Sequence, residues 1–184
     1  NTLVLEEMHG CQWLDDLAAV GDNRARDLAQ DWVQGWIAQY GRGTGPGWTP
    51  DLTGRRLIRW INHGILLLRG IDSDASEKFF TSLGQQTIFL SRRWHTASPG
   101  LPRFEALTGL IYAGLALEGM ERYVGHAIKA LAKDCTNEID GQGGVRTRNP
   151  EELLEVFSLL NWAVLALTET SRPVPGEVQS ALER

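Results

Sequence analysis

Apolar residues recur at three- and four-residue spacing along nearly the whole chain, and runs of strict alternation are scarce. The first period belongs to a helix with one buried face, the second to a half-buried strand, so the pattern predicts an all-α domain. Its 184 residues suffice for one domain that buries roughly two-thirds of its unfolded surface. Turn-forming clusters divide the periodic stretches, which predicts successive antiparallel helical hairpins arranged as a stack or toroid.

A first helix is expected over Thr2 to Val20, burying Leu5, Met8, Leu14 and Leu17, and a second from an Asn23 cap to Tyr40. Gly41 to Trp48 holds four glycines and a proline and must be a loop. A third helix over Pro50 to Arg69 would bury Leu57, Ile61, Ile65 and Leu68, with Arg56, Trp60, His63 and Leu67 on the adjacent stripe. A fourth, capped by Asp72 or Asp74, carries Phe79, Leu83, Thr87, Leu90 and Trp94. The fifth, Pro102 to Leu117, is rich in Ala and Gly and should be central, because small side chains let backbones approach. Val124, Ala127, Ile128, Leu131 and Cys135 mark the sixth.

Asn149, Pro150 and Glu152 form the best-marked boundary, a capping signature of a cap, a proline at the first helical position and a glutamate three residues after the cap, with Glu151 also favourable at the positive helix end. The seventh helix, to Leu167, is apolar almost all round, including Phe157 and Trp162, and is expected to lie between other helices. Pro173 and Pro175 precede a last helix that Arg184 cuts short, and the chain opens at Asn1 without an initiator Met, so it reads as part of a larger protein.

A net charge of −5 argues against a nucleic acid or an anionic membrane as general partner. No stretch approaches the ~20 apolar residues of a membrane span. The two cysteines, Cys11 and Cys135, belong to no metal or disulfide pattern and read as small buried apolar residues. His9, His63, His95 and His126 form no zinc motif, and Gly41 to Gly47 lacks the Gly-Lys-Ser/Thr of a phosphate loop, so neither metal nor cofactor is expected.

Two groups stand out as candidate binding residues. Arg56, Trp60 and His63 fall on one stripe with Asn62 beside them, a combination that could stack on and hydrogen-bond a sugar. Arg146, Arg148 and Asn149 sit where a helix N-terminus already favours an anion. Of the seven tryptophans, Trp32, Trp36 and Trp162 read as core, whereas Trp48 and Trp60 lie beside polar groups.

Four stretches, LEEMHGCQWLDDL from Leu5, WTPDLTGRRLIRWINHGILLL from Trp48, LPRFEALTGLIYAGLAL from Leu101 and DGQGGVRTRNPEELLEVFSLL from Asp140, together resemble the N-terminal helical region of bacterial heparinase II/III-like proteins, relatives of polysaccharide lyases. The resemblance covers most of the chain. It implies a single helical domain over residues 1–184 forming an incomplete α/α toroid, a β-sandwich region further along the same protein, and a cleft between them for a uronic-acid polysaccharide. Such lyases act by β-elimination, with a carboxylate neutraliser, a base and an acid.

The pattern departs where catalysis would sit. Relatives begin the helix matching Leu101 to Leu117 with Asn-His, where this chain has Leu101 and Pro102. They carry Ser-Pro-x-Tyr-His where this chain has Asn149-Pro150-Glu151-Glu152-Leu153. The fold and the acidic-polysaccharide partner carry over as expectations, and no catalytic residue does. The competing expectations are a non-catalytic protein-interaction scaffold and a glycoside hydrolase, which would need two carboxylates about 5 to 10 Å apart.

Overall fold

The structure, a computed structural model, describes residues 2–184. The domain is all-α. Its elements are α1 (Thr2–Gly10), α2 (Trp13–Val20), α3 (Asn23–Tyr40), α4 (Pro50–Asn62), α5 (Gly64–Leu68), α6 (Ser73–Arg93), α7 (Leu101–Ala116), α8 (Val124–Glu138), α9 (Pro150–Glu169) and α10 (Gly176–Glu183), with short 3₁₀ turns at Trp94–Thr96 and Glu121–Tyr123. Among the described residues no helix is long and apolar enough to cross a membrane.

The small-residue helix is central, as its composition predicts: α7 packs against α4, α6, α8 and α9. Contact with α4 is backbone to backbone. A methyl group on Gly54 would fall 2.2 Å from the Glu105 carbonyl oxygen, and one on Gly109 would fall 2.5 Å from the Gly54 Cα. Only glycine at both positions lets the two helices cross so closely.

Two expected helices are broken, and the sequence holds the cause of one break in another helix. Arg56 takes the carbonyl of His9 at 2.7 Å and Arg59 that of Gly10 at 3.2 Å. Those carbonyls would otherwise accept from residues 13 and 14 in a continuous helix. Cys11 accordingly adopts a left-handed φ of 58°, and the chain restarts at Trp13. The stripe expected over Leu5 to Leu17 therefore splits: Leu14 is buried, whereas Leu5 and Met8 are exposed. A second interruption at His63 separates α4 from α5 and turns Ile65 outward, leaving it 87% exposed rather than buried.

Several expectations hold in detail. Ala25, Ala29 and Val33 line the core from α3, Phe79, Leu83, Thr87 and Leu90 from α6, and Val124, Ala127, Leu131 and Cys135 from α8. Both cysteines are buried and free. Asp72 caps α6 by accepting from the Ala75 amide at 2.7 Å. At α3 the cap is Asp22, not Asn23: its carboxylate accepts from the Ala25 amide at 2.7 Å.

Helix α9 differs most from expectation. It buries Val156, Leu159, Leu160, Ala163 and Leu167, with Val164 packed partly against the core. Leu154 is 65% exposed, Phe157 49%, Trp162 40% and Leu165 54%, so half of an apolar helix faces outward. So many large apolar side chains exposed on one helix, with Asn161 and Ser158 between them, are uncommon unless something covers them.

Candidate functional site

The first group of expected binding residues does not form a surface. Arg56 and Trp60 are fully buried, which corrects the reading of both as ligand-facing. Besides the His9 carbonyl, Arg56 donates through Nη1 to the Gly47 carbonyl at 3.1 Å and through Nε to Gln86 Oε1 at 2.7 Å. Its guanidinium carbon lies 3.9 Å from the centroid of the Trp36 ring. A buried cation is tolerated because its donors are nearly all matched and an aromatic face covers the plane. Burial lowers the Arg56 pKa to about 10, so the group stays charged at neutral pH.

Trp60 donates to Cys11 Sγ at 3.4 Å and stacks on Phe79 with ring centroids 5.5 Å apart. His9, fully buried, accepts at Nδ1 from Trp36 Nε1 at 3.1 Å. That bond places the proton on Nε2, which has no partner among the described residues. Desolvation, and then the nearby Arg56 charge, hold the His9 pKa below its ordinary value. The glycine-rich loop closes over this node: a Cβ on Gly47 would come within 2.5 Å of His9 Nδ1. His63 and Asn62 lie elsewhere, on the outside. His63 Nε2 is 2.8 Å from Asp15 Oδ1, Arg59 Nε is 2.8 Å from Oδ2 of the same carboxylate, and Asn62 is exposed.

The second group lies on a loop that its own polar atoms shape. Asp140 Oδ1 accepts from the amides of Gln142 and Gly144 at 2.8 and 2.9 Å, and an isolated bridge joins Ile139 to Val145. Those amides, and then Arg148, hold the Asp140 carboxyl below the usual range. Arg148, at φ 56°, pairs with Asp140 at 2.8 Å, and Arg146 pairs with Glu138 at 3.1 Å. Both arginine side chains remain about 70% exposed (70% and 71%). Asn149 spends its side-chain oxygen on the cap, accepting from the Glu151 amide at 3.0 Å. Glu152, expected as part of the capping signature, accepts from Thr147 Oγ1 at 2.7 Å.

This loop and the start of α7 converge. Leu101, Pro102, Glu138, Arg146, Thr147 and Glu152 line one pocket of about 290 Å³. Those are the two stretches in which the resemblance would place a carboxylate neutraliser and a catalytic Tyr. Neither Tyr nor His lines the pocket among the described residues. Its polar lining is one guanidinium, two carboxyls and a hydroxyl, from Arg146, Glu138, Glu152 and Thr147.

A second cleft was not singled out from the sequence. Arg55, next in sequence to the buried Arg56, pairs through Nε with Glu105 Oε1. Glu105 is 3% exposed, and its Oε2 has no hydrogen-bond partner among the described residues. Burial raises its pKa to about 7, against the opposing pull of Arg55. Arg55, Arg59, Glu105, Glu155, Ser158 and Trp162 line a cavity of about 310 Å³ between α4, α7 and α9. A signal for it existed: Glu105 is the one carboxylate inside the otherwise small and apolar α7. Among the described residues, no cluster of three or more His, Cys, Asp or Glu could hold a metal ion.

These features define an all-α domain with a sealed polar node and two open polar clefts flanking α9. The chain is similar to FtsZ-localized protein C of Caulobacter vibrioides (strain NA1000 / CB15N), with 28% identity over 181 residues. That alignment takes in 96% of this chain and 30% of the relative, so the chain spans under a third of the relative's length. No protein-family model matches the chain, and no solved structure matches it.

Proposed function

We propose that this domain is the helical part of a heparinase II/III-like protein, built as an incomplete α/α toroid, and that it binds an acidic polysaccharide without cleaving it. The supporting observation is the convergence of the start of α7 with the 145–152 loop on one pocket. Arg146 and Arg148 stand at that loop with most of their side chains in water. The Arg148–Asp140 pair is exposed on both sides (71% and 38%) and therefore weak, so a uronate carboxylate can replace Asp140 at little cost, while Arg146 keeps its nearly buried Glu138 partner and offers its remaining donor. β-Elimination also needs a base and an acid at the sugar ring, and the pocket offers no Tyr or His among the described residues for those roles.

The test is affinity electrophoresis in gels cast with alginate, hyaluronan or heparin, with ultraviolet absorbance to detect unsaturated products. Retardation by at least one polymer, lost in Arg146→Ala/Arg148→Ala and without rising absorbance, is the expected result. Absence of retardation on all three would sink the reading.

A second reading is favoured by the exposed apolar half of α9 and by the name of the relative, a protein localised with FtsZ. In it the domain is a docking scaffold within a larger assembly. Co-sedimentation with FtsZ polymers that Phe157→Ser/Leu165→Ser abolishes, with polysaccharide binding unchanged, would favour it over the first.

A further inference from the structure

We propose that the cleft between α4, α7 and α9 is a binding site for one neutral, polyhydroxylated ring, with Glu105 accepting from a hydroxyl and Trp162 packing against the ring's C–H face. The starting observation is the unmatched oxygen. Glu105 is 3% exposed; Oε1 is taken by Arg55, and Oε2 has no partner among the described residues. A buried carboxyl oxygen without a donor is costly, and native proteins rarely leave one so. Glu105 is part of the cavity wall with Oε2 itself covered, so a hydroxyl reaches that oxygen as the wall opens on binding.

The walls specify what kind of donor. Trp162, 40% exposed, gives an apolar face at the side of the cavity. Ser158 donates its own hydroxyl to the Leu154 carbonyl at 2.9 Å, which leaves its oxygen free to accept. Charge selects against ions. Above about pH 7, where Glu105 is ionised, Arg55 and Arg59 are opposed by Glu105 and Glu155, and Arg59 is held in addition by Asp15 at 2.8 Å. Neither an anion nor a cation gains a net field in such a lining, whereas a neutral ligand with many hydroxyls finds donors and acceptors on every side. The volume of about 310 Å³ lies at the lower end of the roughly 300–1,000 Å³ usual for ligand sites, which suits one ring rather than a chain of them. The site shares no lining residue with the pocket at the start of α7, so the two can fail separately.

The experiment is an amide-resolved NMR titration of the 184-residue chain with glucose, galactose, N-acetylglucosamine and glucuronate. Saturable shifts at Arg55, Glu105, Ser158 and Trp162 with at least one neutral sugar, at millimolar affinity, are expected. Trp162→Ala should weaken that binding about tenfold, since it removes the stacking surface. Trp162 is partly exposed, so this variant keeps the fold, and Ser158→Ala provides a second that leaves the Arg55 pair intact. Arg146→Ala should change nothing here. Binding by glucuronate alone, shifts confined to the start of α7, full affinity in Trp162→Ala, or no saturable shift with any neutral sugar would each overturn the proposal.

Discussion

Arg55 and Arg56 are neighbours in sequence with opposite fates. Arg56 enters the interior, where backbone carbonyls, a glutamine and a tryptophan face take up its donors. Arg55, turned about 100° around the helix axis, meets a carboxylate that has one oxygen to spare at the wall of a cleft. The first arrangement is closed: it ties together α1, α3, the glycine loop, α4 and α6. The second is open, with charge and a hydrogen-bond acceptor left for something else to use. A guanidinium matched by carbonyls organises a core, and one matched by a half-satisfied acid marks a surface with unspent chemistry.

Breaking the closed side should cost most. Arg56→Met leaves the His9 and Gly47 carbonyls and the Gln86 amide without their donor, and a loss of about 3–5 kcal/mol is expected in urea unfolding. A loss under about 1 kcal/mol would show that water reaches the node and that it is not sealed.

On the open side, the effect depends on pH. The folded chain holds the Glu105 proton up to about pH 7, against an ordinary value of 4.5. It therefore binds more protons than the unfolded chain in that window, and stability falls as pH rises through it, by about 3 kcal/mol. His9 works in the opposite direction: with its pKa depressed, it costs stability as pH falls below its ordinary 6.5. Comparing the wild-type slope with that of Glu105→Gln isolates the carboxyl. Equal slopes in the two proteins would mean that Glu105 titrates like a solvated acid.

Gly109→Ala sharpens the comparison from between the two arginines. The added methyl would strike the Gly54 backbone, one residue before Arg55. A loss of about 1–3 kcal/mol is expected, with amide exchange accelerating at Glu105 before it does at His9. The smallest effect belongs to His63→Ala. Its pair with Asp15 lies near the surface, so a change under about 1 kcal/mol is expected by thermal unfolding, with binding unaltered.

Much of the fold is legible in the sequence because it rests on local rules. The Asn149-Pro150 boundary, the Asp72 cap and the small-residue centre of α7 each follow from short-range chemistry. The orientation of α4 does not. Periodicity identifies Arg56, Trp60 and His63 as one stripe, and the structure shows that Arg56 and Trp60 turn inward because Trp36, Phe79 and the His9 carbonyl meet them from other helices, while His63 stays on the outside. The break at Cys11 is equally remote in origin, since two arginines about fifty positions away take the carbonyls (separations of 47 and 49). The unmatched Glu105 oxygen is legible only once α4, α7 and α9 are placed, and no spacing rule announces it.

The crossing of α4 on α7 also bears on the order in which the chain can be made. Arg55 and Glu105 are 50 positions apart, and so the loop between them must be closed before that contact returns any burial. Synthesis proceeds from the N-terminus at about 5–20 residues per second. For several seconds α4 and α6 exist without the helix they pack against. The domain thus gains its centre late, when α7 arrives.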